Sequence, residues 1–170
     1  PPPLDFDQSP YSTIPLPPLN VSYLSLNRIL EYHRLPPLQY DVTTTPSLAT
    51  ISPPYHQYAL QGWQHQAATN PASSSLTIRC SLLESPIIIH PGNIQQNFVT
   101  IWDVIFIVHG EIRQRAAQRY QRSFGSHLRR TEMSEEQSRC MVTNFLGGAH
   151  IWGGITKSTT ERDVWILHLK

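Results

Sequence analysis

The chain has 170 residues, 39% of them apolar and 15% charged, with a formal net charge of +1. That composition excludes a disordered polyelectrolyte, which would be charge-rich and poor in aliphatics, and it leaves attraction to nucleic acid or an acidic membrane to a local patch rather than to the chain as a whole. No membrane span is expected: the apolar run at residues 104–108 is far shorter than the roughly 20 residues a bilayer-spanning helix needs.

All fifteen prolines lie at or before Pro91. Proline fixes φ and removes a backbone donor, so the first half is expected to hold loops, extended segments and short strands, and the second half the long regular elements. Residues 1–23 read as a proline-rich N-terminal arm, either packed on the domain in extended form or mobile but not helical, and residues 24–170 as one domain. Leu26, Ile29 and Leu30 recur at helical spacing, which predicts one or two helical turns over residues 25–32, stopped by Pro36 and Pro37. Leu38, Tyr40 and Val42 alternate as one face of a strand, and residues 52–75 read as a long irregular connection.

Two further strands are predicted at residues 76–82 and 87–89, the latter from three consecutive isoleucines, whose β-branched side chains suit a pleated surface. Pro91, Gly92 and Asn93 supply a turn. Thr100 and Asp103 form a variant capping box, which opens a helix whose stripe is Ile101, Ile105, Val108, Ile112, Ala116 and Tyr120, with a break or kink expected at Gly110 and an end at Gly125. Ser134 and Gln137 make a second capping box before a shorter helix. Residues 150–155 and 163–169 read as a hairpin, with Ile151, Ile155, Trp165, Leu167 and Leu169 on its apolar face and His150, Trp152, Ile166 and His168 on the other. The fold class is therefore α+β: a small, mostly antiparallel sheet with one long amphipathic helix and a shorter second helix packed on it.

These segments, in this order, resemble an uncharacterised domain family, expanded in mushroom-forming fungi, of unknown function. The resemblance runs from about Leu24 to the end and is carried by residues 26–30, 37–42, 68–71, 76–78, 145–148 and 163–167, and most strongly by Phe98, Val99, Thr100, Ile101, Trp102, Asp103, Val104 and Ile105. It implies no activity. Ile87 after Pro86 and Asn144 depart from the family pattern, which tends to place an aromatic and an acid there.

Arginine carries the one clear functional signal. Arg113, Arg115, Arg119, Arg122, Arg129 and Arg130 fall in a stretch whose single acid up to Arg130 is Glu111, and Arg115, Arg119 and Arg122 share a helical face opposite the apolar stripe. Arginine's planar fork suits phosphate or carboxylate recognition. Arg115, Arg119, Arg122, Arg129 and Arg130 are therefore the candidate anion-binding residues, the first three exposed on the helix. The competing reading is a solvated helix face, and no nucleic-acid motif accompanies the patch. Trp63, in a polar loop, is a candidate exposed anchor for a partner. Eight histidines include no metal-ligand spacing, and His150 with His168, read as cross-strand neighbours, makes half a site, so no metal and no cofactor are expected.

Cys80 and Cys140 cannot form a disulfide framework, and two buried, reduced thiols in the cytoplasm or nucleus are the expectation. No signal peptide is visible, and the opening Pro1 points to a missing N-terminus. The favoured function is a non-enzymatic interaction domain that binds a protein or an anionic ligand through its loop face and arginine-rich helix. The alternative is a small hydrolase using a Cys/His pair in a cleft.

Overall fold

The computed structural model describes residues 24–58, 62–93, 95–124 and 134–170. The proline-rich arm, Gly125, Arg129 and Arg130 lie outside the described residues. Four short strands come first, β1 (Ser25–Leu26), β2 (Leu38–Gln39), β3 (Thr50–Ile51) and β4 (Thr69–Asn70), followed by β5 (Leu76–Cys80) and β6 (Ile87–Ile89). Helices α1 (Ile101–Phe124) and α2 (Glu135–Phe145) precede β7 (Trp152–Lys157) and β8 (Val164–Leu169). The architecture is α+β. Strands β5 to β8 form one four-stranded sheet in the order β6-β5-β8-β7, while β1 pairs with β4 and β2 with β3 in separate antiparallel ladders. In the larger sheet the outer pairs are antiparallel and the central β5–β8 pair is parallel.

Alternation explains the sheet's inner face. Leu76, Ile78 and Cys80 on β5 and Ile87 and Ile89 on β6 are buried, while Ile88 between them is 58% exposed. Helix α1 lies against this face. Ile101, Ile105, Val108, Ile112 and Ala116 are buried and Tyr120 half-buried, the predicted stripe in full. Each large apolar side chain so covered contributes roughly 1.5–3 kcal/mol.

The start of α1 is set by the predicted capping pair. The Asp103 amide donates to Thr100 Oγ1 at 3.1 Å, and Asp103 Oδ2 accepts from the Thr100 amide at 2.8 Å and its hydroxyl at 2.7 Å. Asp103 Oδ1 accepts from the Gly92 amide at 3.0 Å, so one carboxylate ties the turn after β6 to the helix. The helix continues through Gly110 without the expected break. Helix α2 opens on the Ser134–Gln137 capping box. At its far end the Gly147 and Gly148 amides reach back to Asn144 and Thr143 with both glycines at positive φ, the Schellman closure that glycine permits.

Two expectations need correction. Residues 25–32 are a strand followed by a turn, not helical turns. Leu26, Ile29 and Leu30 are buried as their spacing requires, but Asn27 Oδ1 caps the Ile29 amide and β1 is captured by β4. The C-terminal hairpin keeps Ile155, Trp165 and Leu167 inside, but a bulge between Trp152 and Gly154 reverses the alternation before it. Trp152 is therefore fully buried and Ile151 is 42% exposed.

The bulge follows from a close approach. The Tyr32 amide donates to the Ile155 carbonyl and the Ile155 amide to the Leu30 carbonyl, laying residues 30–32 along the free edge of β7. Gly154 sits at φ +112°, where a Cβ would strike the backbone of Glu31 and Tyr32. The Trp152 amide donates to Tyr40 and that of Val42 to His150, so residues 40–42 cover the rest of that edge.

Candidate functional site

The arginines of α1 divide into two groups. Arg113 is a staple between the helices: its guanidinium donates to Glu135 at 2.7 Å and to Ser138 Oγ at 2.9 Å. Arg115 is also engaged, contrary to its expected exposure. It donates to Ser85 O at 2.6 Å, to Pro86 O at 3.3 Å and to Glu111 one turn earlier at 3.0 Å, and its side chain is 18% exposed. The β5–β6 connection passes beside the helix here, and one guanidinium fork reaches two of its carbonyls at once.

Arg119 and Arg122 are exposed, as expected. Arg119 lies over the Phe145 ring of α2, 5.9 Å from its centroid. Among the described residues neither forms an ion pair. Together with Arg115 they line a groove of about 390 Å³ between α1, the end of α2 and the β5–β6 connection, whose one acidic wall residue is Glu84. With Arg115 neutralised by Glu111, the groove presents two uncommitted guanidinium groups against one carboxylate. An aromatic floor beneath Arg119 orients its planar face without consuming its donors.

The other predicted residues fall elsewhere. Trp63 begins a short 3-10 helix (Trp63–His65) and is half-buried against the core. His150 and His168 are not cross-strand neighbours, because the bulge places His168 opposite Gly154. His150 Nδ1 lies 2.7 Å from Gly148 O, and His168 Nε2 lies 2.8 Å from Thr156 Oγ1. Among the described residues no group of three His, Cys, Asp or Glu side chains could hold a metal ion. Burial pushes the Cys80 thiol up, away from a reactive thiolate. Cys140, expected to be buried, is instead exposed on α2, and among the described residues neither cysteine bonds a histidine. No helix among them is long and apolar enough to cross a membrane.

One buried polar cluster escaped the sequence reading. His109 Nδ1 lies 3.1 Å from Val42 O and 3.0 Å from Tyr40 Oη, and the Tyr40 hydroxyl lies 3.1 Å from Thr44 O. A carbonyl only accepts, so Nδ1 carries the proton toward Val42, and Tyr40 donates to Thr44. Burial, then the charge of Arg113, holds His109 below its ordinary pKa. Burial, then Asp41, pushes the Tyr40 phenol up. The cluster latches α1 to the 40–44 turn. Its signal was a histidine four residues after Ile105 and three before Ile112, on the edge of the buried stripe.

A family model described as "Family of unknown function (DUF6699)" matches residues 38–164. Neither a curated protein nor a solved structure matches the chain.

Proposed function

The chain belongs to this family of unknown function, which carries no activity over to it, and we propose from its geometry that it is a non-enzymatic interaction domain that binds an acidic protein segment in the arginine groove. The observation that carries the reading is the pair Arg119 and Arg122, exposed side by side one turn apart in a groove with an aromatic wall. A long nucleic acid fits less well. Its affinity comes from many phosphate contacts at once, whereas this chain has a net charge of +1 and commits Arg113 and Arg115 to its own structure. A short segment with two carboxylates matches the two guanidinium groups of Arg119 and Arg122. The setting is part of the proposal: the cytoplasm or nucleus of a fungal cell, which two unbridged cysteines, one exposed, favour.

Fluorescence anisotropy with a glutamate-rich peptide and with a short single-stranded RNA tests this. The peptide should bind at low ionic strength, weaken with salt, and lose at least about tenfold in affinity on Arg119→Glu with Arg122→Glu, a loss of about 1.4 kcal/mol. Absence of peptide binding at low ionic strength, or binding indifferent to both substitutions, overturns it. Tighter binding of the RNA would transfer the groove to nucleic acid.

A further inference from the structure

The arginine groove has an apolar continuation. A second groove of about 340 Å³ is lined by Ala116, Tyr120 and Met141 together with the polar Ser123 and Asn144, and it shares Arg119 and Phe145 with the first. The joint surface is cationic on one side and mostly apolar on the other, with Arg119 and Phe145 at the seam. Its ligand should therefore carry acids on one side and apolar groups on the other.

Such a segment lies in this chain. Residues 1–23 contain no lysine, arginine or histidine, and their only charged residues are Asp5 and Asp7, which flank Phe6 and follow Leu4. In an extended chain successive side chains point to opposite sides. Asp5 and Asp7 then face one way, and Leu4 and Phe6 the other. Two positions along an extended chain span roughly 6.5 Å, close to the roughly 5–6 Å between residues three apart on a helix such as Arg119 and Arg122.

The reach is sufficient. Leu24 adjoins β1, which pairs with β4, and Ala67 bridges Thr100 at the start of α1. Arg119 is nineteen residues beyond Thr100, about 28 Å along a helix. Sixteen residues separate Asp7 from Leu24, enough for about 50 Å at the rise that proline-rich sequence favours.

We propose that residues Leu4 to Asp7 of the chain's own arm occupy this composite groove, with the carboxylates of Asp5 and Asp7 on Arg119 and Arg122 and Phe6 in the apolar half, so that an external acidic segment must displace them. The inference rests on the groove reading above and adds the occupant.

Competition measures it. The probe is a labelled peptide of residues 1–12, titrated by anisotropy into the full chain and into the full chain carrying Asp5→Asn, Phe6→Ala and Asp7→Asn. A tethered arm acts at an effective concentration of about 1 mM, so for a peptide dissociation constant on the order of 0.1 mM the arm-substituted chain should bind the probe about tenfold tighter than wild type. Adding Arg119→Glu with Arg122→Glu should abolish that binding, with Arg119→Gln and Arg122→Gln as milder replacements should the reversal unfold the domain.

Equal affinity for wild type and the arm-substituted chain overturns the inference and leaves the groove reading standing, since the peptide still binds. No binding to the arm-substituted chain also overturns it, and the glutamate-rich peptide then decides the groove reading separately. A nitroxide on exposed Cys140, beside Met141 on α2, supplies an intramolecular readout. It should broaden the Phe6 amide resonance in the wild-type chain, relieved by the arginine substitutions. An unbroadened Phe6 signal counts against the proposal.

Discussion

Asp103→Ala tests the strand-to-helix junction. The Asp103 carboxylate accepts from the Thr100 amide, the Thr100 hydroxyl and the Gly92 amide at 2.7 to 3.0 Å. Thr100 is 2% exposed, so its amide has no water to turn to once the acceptor is gone. An orphaned buried donor costs about 1–3 kcal/mol, and the loss of the reciprocal half of a capping box and of the Gly92 tether adds about 1 kcal/mol more. A destabilisation of about 3 kcal/mol is expected. Asp103→Asn keeps one oxygen for Thr100 and turns its amide toward the exposed Gly92 turn, where water can intervene, so it should cost only about 1 kcal/mol. Urea unfolding followed by tryptophan fluorescence, with m compared across variants, reads both values. A loss below about 1 kcal/mol for alanine, or equal losses for alanine and asparagine, would refute the hydrogen-bond account.

Two glycines should respond with opposite signs. Gly154→Ala places a Cβ onto the Glu31–Tyr32 backbone at a positive φ and should cost more than about 3 kcal/mol, visible as loss of soluble protein. Gly110→Ala meets nothing within 4 Å on an exposed helical turn and should stabilise by about 0.5–1 kcal/mol in the same urea assay. The His109 latch carries a pH signature. Its folded pKa is depressed below 6.5, so the unfolded state takes up the proton first and stability falls as pH drops below that value, by at most about 1.4 kcal/mol per pH unit. Comparing urea midpoints between pH 7.5 and 5.0, His109→Gln should show a smaller acid-induced loss than wild type. An unchanged loss would show that other groups dominate.

The regular elements were readable because local pattern and tertiary demand agree there. The stripe of α1, both capping boxes and the Ile87–Ile89 strand each follow from spacing or side-chain shape alone. Where a distant segment decided the outcome, the sequence misled. Leu26, Ile29 and Leu30 fit a helix, yet β4 captured the strand from more than 40 residues away. Trp152 turned inward because the backbone at Tyr32 lies on Gly154, which no local rule announces. The same holds at the candidate site. The cluster of arginines was visible, but that Arg115 would be spent on Ser85 and Pro86 depends on where the β5–β6 connection passes. Phe145 as the wall beneath Arg119 required knowing how α2 folds back on α1.

The parallel pairing of β5 with β8 has a consequence during synthesis. Thr77 finds its neighbour in Val164, 87 positions later, and β8 fills the centre of the sheet between β5 and β7. Until residues 164–169 have left the ribosome, the β5–β6 hairpin presents an open, apolar strand edge with nothing to pair with. The segments at residues 30–32 and 40–42, among the earliest made, wait equally for β7. The nascent chain therefore cannot complete the sheet before β8 emerges, and a stall shortly before residue 164 would leave that edge available to chaperones or to other nascent chains.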